Sequence, residues 1–274
     1  MRKLDDKVRF LIIFSVVFVV VYKFSLWYAS SVTHTASFSF SFEKYIPFLP
    51  WTIIPYLSSG VFFCIVFFII PTKEKLAIFF KRVILMTVLA GIAFITIPMH
   101  YSFAKPTIEN PLLNSLFWLL NGIDDPYNQS PSLHIAYAFA FWTVFRDLKG
   151  KWKILSGFWL VMVGLSTLTT YQHHLIDIFA GSILAHLVYI IIPAQPKSAV
   201  HRNFHVANYY ILFGWLTFLG AILLAENYSP YWLNVGWLSL LSFVIAYLVQ
   251  KYQLNFLQRA AVRTDSSKKF FNIF

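Results

Sequence analysis

Apolar positions along this chain come in runs too long and too continuous for one face of a soluble helix or strand, and short polar segments, many of them basic, separate the runs. A helix needs about 20 mostly apolar residues to cross the hydrocarbon of a bilayer. The pattern predicts spans near 10–30, 51–71, 83–99, 132–146, 153–171, 175–193, 208–225 and 232–250, with the fourth the shortest. The first run follows "MRKLDDKVR" but is long and lacks a small-residue cleavage site, so it reads as a membrane helix and not as a signal peptide. The expected fold is an all-α, polytopic membrane helix bundle of about eight transmembrane helices. Residues 1–274 would form a single integral membrane domain.

Composition agrees with that frame: 58% of the residues are hydrophobic and 12% are charged. The single cysteine, Cys64, lies in "GVFFCIVFFII", so the chain holds no disulfide framework. A net charge of +11 would suit nucleic acid if it formed a patch with exposed aromatics, but the basic residues are scattered between apolar runs. They serve topology instead. Of the 22 Lys and Arg residues, 19 fall in alternate loops or at the two ends, Lys44 and Lys105 fall on the opposite side, and Lys23 lies within the first span. The positive-inside rule then puts both termini in the cytoplasm, with 251–274 a basic cytoplasmic tail.

Candidate chemistry gathers on the opposite, non-cytoplasmic side. "TYQHHLID" at 170–177 joins the fifth and sixth spans and carries no Lys or Arg. His173 and Asp177 are four apart, so at the start of a helix the carboxylate can accept from the imidazole and leave the other ring nitrogen free to attack. "NQSPSLHIAYAF" at 128–139 carries helix-start signals, with Ser130 as the expected N-cap, Pro131 in the first turn and His134 close behind. Free amides and the positive dipole end at such a start suit a phosphate. The loop 100–130 is long and holds Lys105, Asp124, Asp125, Tyr127 and Asn128.

"PSLH" at 131–134 and "STLTTYQHHLID" at 166–177 resemble the second and third motifs of the type 2 phosphatidic acid phosphatase superfamily, P-S-x-H and S-R-x5-H-x3-D. Ser166, His173 and Asp177 fall in register, and Ala180-Gly181 follows as it often does there. Thr167 stands where the third motif has arginine; the first motif, K-x6-R-P, is reduced to Lys105-Pro106, with Pro98 at its lysine position. These departures are similar to the inositol phosphorylceramide synthase-like branch, with P-S-[LF]-H and a paired histidine. The resemblance covers roughly 76–193 and implies a six-helix catalytic core, to which 208–250 would add two helices.

What the resemblance implies is a metal-independent, cofactor-free lipid phosphatase or phosphotransferase. His173 would attack the phosphorus of a lipid phosphate ester and form a phosphohistidine, Asp177 would stabilise the imidazolium, and His134 would protonate the leaving oxygen. Lys105, His174, Ser132, Ser166 and Thr167 are the implied substrate-binding positions. Phosphoryl transfer depends mainly on positioning and charge stabilisation, so Lys105, a charged His174 or the amides before His134 would stand in for the missing arginine. The partners are a lipid phosphate and membrane lipids, with no nucleic acid, and the resemblance points to a bacterial inner membrane with the site facing the periplasm. Phosphatidate, phosphatidylglycerophosphate, a polyprenyl phosphate and a headgroup donor all present a phosphate beside apolar chains.

Two other readings use the same residues. A transporter would use the His and Asp groups as a proton relay and should show inverted repeats and groups at mid-membrane. A metal-dependent membrane hydrolase would assemble His134, His173, His174 and Asp177 as ligands. Ordinary structural roles suit His100, His186, His201 and His205, loop caps suit Asp124 and Asp125, snorkelling suits Lys23, and bonds to their own helix suit Ser166 and Thr167.

Overall fold

The computed structural model describes residues 5–33, 35–124, 126–194 and 199–252. Arg2, Lys3, Asp125, Lys197 and the tail 253–274 lie outside the described residues, as do the side chains of His201 and Arg202. Among the described residues the chain is all-helical, with no strand beyond isolated bridges between Ala36, Met99 and Asn128.

Each predicted span coincides with a helix, because an apolar segment without water must satisfy its backbone internally. These are α1 (Asp6–Ser31), α2 (Ile53–Ile69), α3 (Lys73–Thr96), α5 (Leu133–Phe145), α6 (Lys151–Thr169), α7 (Leu175–Ile191), α8 (Ala199–Asn227) and α9 (Gly236–Tyr252). A further helix, α4 (Pro111–Ile123), lies within the loop 100–130. Asn110 caps it through Leu113 N–H at 3.1 Å, and Pro111 begins it. Among the described residues, six helical segments are long and apolar enough to cross a membrane; α5, with 13 residues, and α7, with 17, are apolar but shorter.

Aromatic packing joins the helices. Phe14 of α1 stacks on Phe63 of α2 at 4.5 Å, and Phe63 meets Tyr137 of α5 edge-on at 4.4 Å. Val16, Val20, Trp27, Ile92 and Ile154 point outward and are exposed, as side chains facing lipid would be. Helix α8 packs on α7 through Phe179, which touches Trp215 and Phe218, and α9 packs on α8, where Trp215 meets Phe243.

The two ends of the bundle differ in chemistry. At one, Asp6 pairs with Arg9 at 3.0 Å and Lys73 at 3.2 Å, and Lys75 pairs with Asp147 at 2.8 Å. At the other, the irregular segments are stitched together: His100 N–H donates to Ala36 O, Tyr101 N–H to Pro126 O and Leu49 N–H to Thr169 O, all at 2.8–2.9 Å. This second end carries both motifs.

Candidate active site

The starts of α5 and α7 meet at this end. Ser132 N–H donates to Asp177 O at 3.0 Å, and a Cβ built on Gly181 would sit only 2.5 Å from Ser132 O. Glycine at 181 is therefore what lets the two helix starts approach so closely. The expected N-cap Ser130 is two residues early: Ser132 is the N-cap, and Pro131 lies outside the helix. Ser132 makes no side-chain cap, so the first-turn amides of α5 carry no side-chain oxygen.

His173 precedes α7 instead of lying on it, yet its Nδ1 is 3.4 Å from Asp177 Oδ2, an ion-pair distance at which no directed hydrogen bond is made. The Thr167 carbonyl accepts from the backbone N–H groups of Gln172 and His173 at 3.1 and 3.0 Å, which holds the turn between α6 and α7. His134, second residue of α5, stacks on Tyr56 at 4.1 Å and faces His173 with ring centroids 6.0 Å apart. Buried polar atoms without a protein partner collect here: Asn128 Oδ1, Gln129 Oε1, Ser132 Oγ, Gln172 Nε2, His173 Nδ1 and Asp177 Oδ1. Orphans of this kind are rare in folded proteins and concentrate where a ligand or water is received.

His174 takes a different course from its neighbour. As N-cap of α7 it has extended backbone, so its ring leaves on the side opposite to His173. It is buried, its Nδ1 is 3.0 Å from Glu43 Oε2, its Nε2 is 3.0 Å from Ser102 Oγ, and Tyr101 stacks on it at 4.3 Å. The same Glu43 oxygen accepts Leu175 N–H at 3.1 Å, and Asp177 Oδ2 accepts His174 N–H at 2.9 Å. Carboxylates thus quench the positive end of α7, while the start of α5 has no such anion. An incoming phosphate is better served by α5.

A cavity of about 500 Å³ opens beside the two histidines. Tyr22, Lys23, Asp124, Asn128, His134 and His173 line its polar end; Leu11, Phe14, Phe18, Phe63, Cys64 and Tyr137 line the apolar remainder. From Lys23 to Leu11 along α1 is about 18 Å at the usual helical rise, more than half of a ~30 Å hydrocarbon layer. Tyr22 OH donates to Asp124 at 2.6 Å, and Asn128 Nδ2 donates to Tyr22 O at 3.0 Å, so α1 is tied to the segment leading into α5.

Of the sequence-derived candidates, the fold brings together His134, His173, Asp177 and Ser132. The side chains of the others are placed or engaged elsewhere. Lys105 lines a separate surface pocket with Asn114, Ser115 and Trp118 on α4. Ser166 and Thr167 are buried, and their hydroxyls donate to Val163 O and Gly164 O at 2.7 Å. His174 is committed to Glu43 and Ser102, so the four-residue metal set does not assemble; among the described residues no three His, Cys, Asp or Glu groups are arranged to hold a metal. Asp124 is the C-cap of α4 and also the acceptor for Tyr22. Tyr22, Tyr56 and Glu43 carried no sequence signal, and Lys23 carried one, a cation inside an apolar span.

Comparison with known proteins adds no identity: no family model, curated protein or solved structure matches the chain.

Proposed function

We propose that the chain is a membrane-embedded lipid phosphatase or phosphotransferase that works through a phosphohistidine, as the motif resemblance implies. The observation that carries the reading is the facing pair His134 and His173, with Asp177 behind His173, at the polar end of a long apolar cavity. A phosphate joined to a hydrocarbon chain fits that pairing of chemistries.

In this mechanism Asp177, 3.4 Å from His173 Nδ1, closes to a hydrogen bond that keeps the proton on Nδ1 when substrate binds, and Nε2 attacks phosphorus. The bond from phosphorus to the leaving oxygen breaks, and protonated His134 gives that oxygen its proton. Water or an alcohol then attacks the phosphohistidine, His134 takes the proton released, and His173 is regenerated. The first-turn amides of α5 face developing charge on the phosphoryl oxygens.

The topology we propose has eight spans, with both termini in the cytoplasm and the histidine pair on the opposite side on the strength of the basic-residue asymmetry; the motif resemblance is what suggests a bacterial inner membrane, with that side the periplasm. At 13 residues α5 rises about 20 Å, so with its Arg146 end at the cytoplasmic surface its start is recessed in the membrane. A proton relay is less favoured, because the titratable groups sit at helix starts and not along helix middles.

The test is turnover of phosphate-labelled lipids, with and without candidate alcohols, by the full chain in bilayer nanodiscs. The expected result is free phosphate or a new lipid together with acid-labile label on the protein, both abolished in His173→Ala. Turnover in His134→Ala should fall by about 10²–10⁴-fold, the usual cost of losing a general acid. Absence of turnover and label across phosphatidate, phosphatidylglycerophosphate, polyprenyl phosphate and headgroup donors rejects the proposal. So does label that survives in His173→Ala but not in His174→Ala.

A further inference from the structure

The reading above leaves the phosphate without a counter-charge. Thr167 replaces the motif arginine and is buried with its hydroxyl spent on its own helix, and Lys105 faces a different pocket. Only one Lys or Arg side chain lies on the wall of the histidine cavity among the described residues, and it is Lys23 of α1. Its Nζ donates to the carbonyl of Ile123 at 2.5 Å. Ile123 is the last residue of α4, so this carbonyl has no partner within its helix and sits at the negative end of the helix dipole. That carbonyl holds the ammonium by a hydrogen bond, and the Asp124 carboxylate on the same polar end of the cavity accepts from Tyr22 OH.

An ammonium inside an apolar span is costly to insert and is therefore usually there for function. Lys23 also sits where function needs it. Its neighbour Tyr22 is fastened to Asp124 and Asn128, a few residues ahead of the start of α5, so the backbone carrying Lys23 is registered against the helix that carries His134. From this geometry we infer that Lys23 supplies the positive charge that binds the substrate's phosphate group. It leaves the Ile123 carbonyl when a phosphate enters between it and the histidine pair, and does from the first helix what an arginine at position 167 would do from α6. The inference rests on the cavity being the lipid-phosphate site.

Binding and turnover test it separately. In a His173→Ala background, which removes chemistry, native mass spectrometry of the full chain compares phosphatidate with diacylglycerol of the same chains. The protein with Lys23 should prefer phosphatidate, and Lys23→Met should lose that preference by about 10- to 100-fold, the worth of one hydrogen bond to a charged group. Lys23→Arg should restore most of it. In the chain with His173 intact, Lys23→Met should raise KM far more than it lowers kcat, with an unchanged melting temperature. Equal preference in Lys23 and Lys23→Met protein, or no preference in either, overturns the inference. A Lys23-dependent preference in a protein that turns over no phosphate lipid upholds the inference and rejects the catalytic reading.

Discussion

Replacing Gly181 by Ala tests the contact on which the site's geometry depends. A methyl at 181 would lie 2.5 Å from Ser132 O and 3.0 Å from Ile135 Cβ. Ordinary contact with a carbonyl oxygen begins at about 3.4 Å, so the two helix starts must separate by about 0.9 Å, because the obstructing atom is backbone and has no rotamer to escape into. Overpacking of this size costs roughly 1–3 kcal/mol, and the gain in helix propensity offsets about 1 kcal/mol of it. Stability should therefore fall by no more than about 2 kcal/mol. Function is more exposed: Ser132 lies two residues before His134, and a displacement near 1 Å can cost about 10²-fold in rate. The assay pairs thermal denaturation in detergent with phosphohistidine formation on a lipid phosphate. Gly220→Ala is the control, since a Cβ there meets nothing within 4 Å and should only stabilise, by roughly 0.5–1 kcal/mol. If Gly181→Ala keeps full activity and melts where the wild type does, the close approach of α5 to α7 does not set the histidine pair.

Two further outcomes follow from other parts of the molecule. Glu43→Ala would strip the acceptor from Phe40 N–H, Leu175 N–H and His174 Nδ1 in a buried setting; a loss of roughly 3–5 kcal/mol is expected, read as the denaturation midpoint in micelles, and a change under about 1 kcal/mol would show that the clamp contributes little. A cysteine at Asn110 in a Cys64→Ser chain should react with an impermeant thiol reagent on intact cells while one at Lys151 should not, and the reverse pattern would invert the proposed topology.

Much of the helical layout is local information. Each long apolar run became a helix because no other backbone state satisfies its own hydrogen bonds away from water. The exception, α4, has polar Asn114, Ser115 and Asn121 among its apolar residues, so it lacked the continuous apolar run by which the equally short α5 was recognised. The nearness of His173 to Asp177 was also readable from their spacing, although His173 precedes α7 and the expected hydrogen bond is replaced by a 3.4 Å ion-pair contact. That His134 shares a side with them followed from counting spans.

The roles of the remaining polar residues depended on contacts between distant segments. Glu43 reaches His174 across 131 positions and Tyr22 reaches Asp124 across 102, and no spacing rule connects such pairs. The adjacent histidines diverge because His174 is the extended N-cap of α7, so the two rings leave on opposite sides, where a helical pair would differ by about 100°. Lys23 could be seen as a cation within a span, but only the packing of α1 beside α4 and α5 puts it on the same wall as His134 and His173. Apolar length and local spacing act through the backbone of a single segment and are written in order along the chain. A buried carboxylate such as Glu43, or an ammonium on a cavity wall such as Lys23, takes its partner from whichever segment the packed bundle brings within reach, and that is a property of the fold.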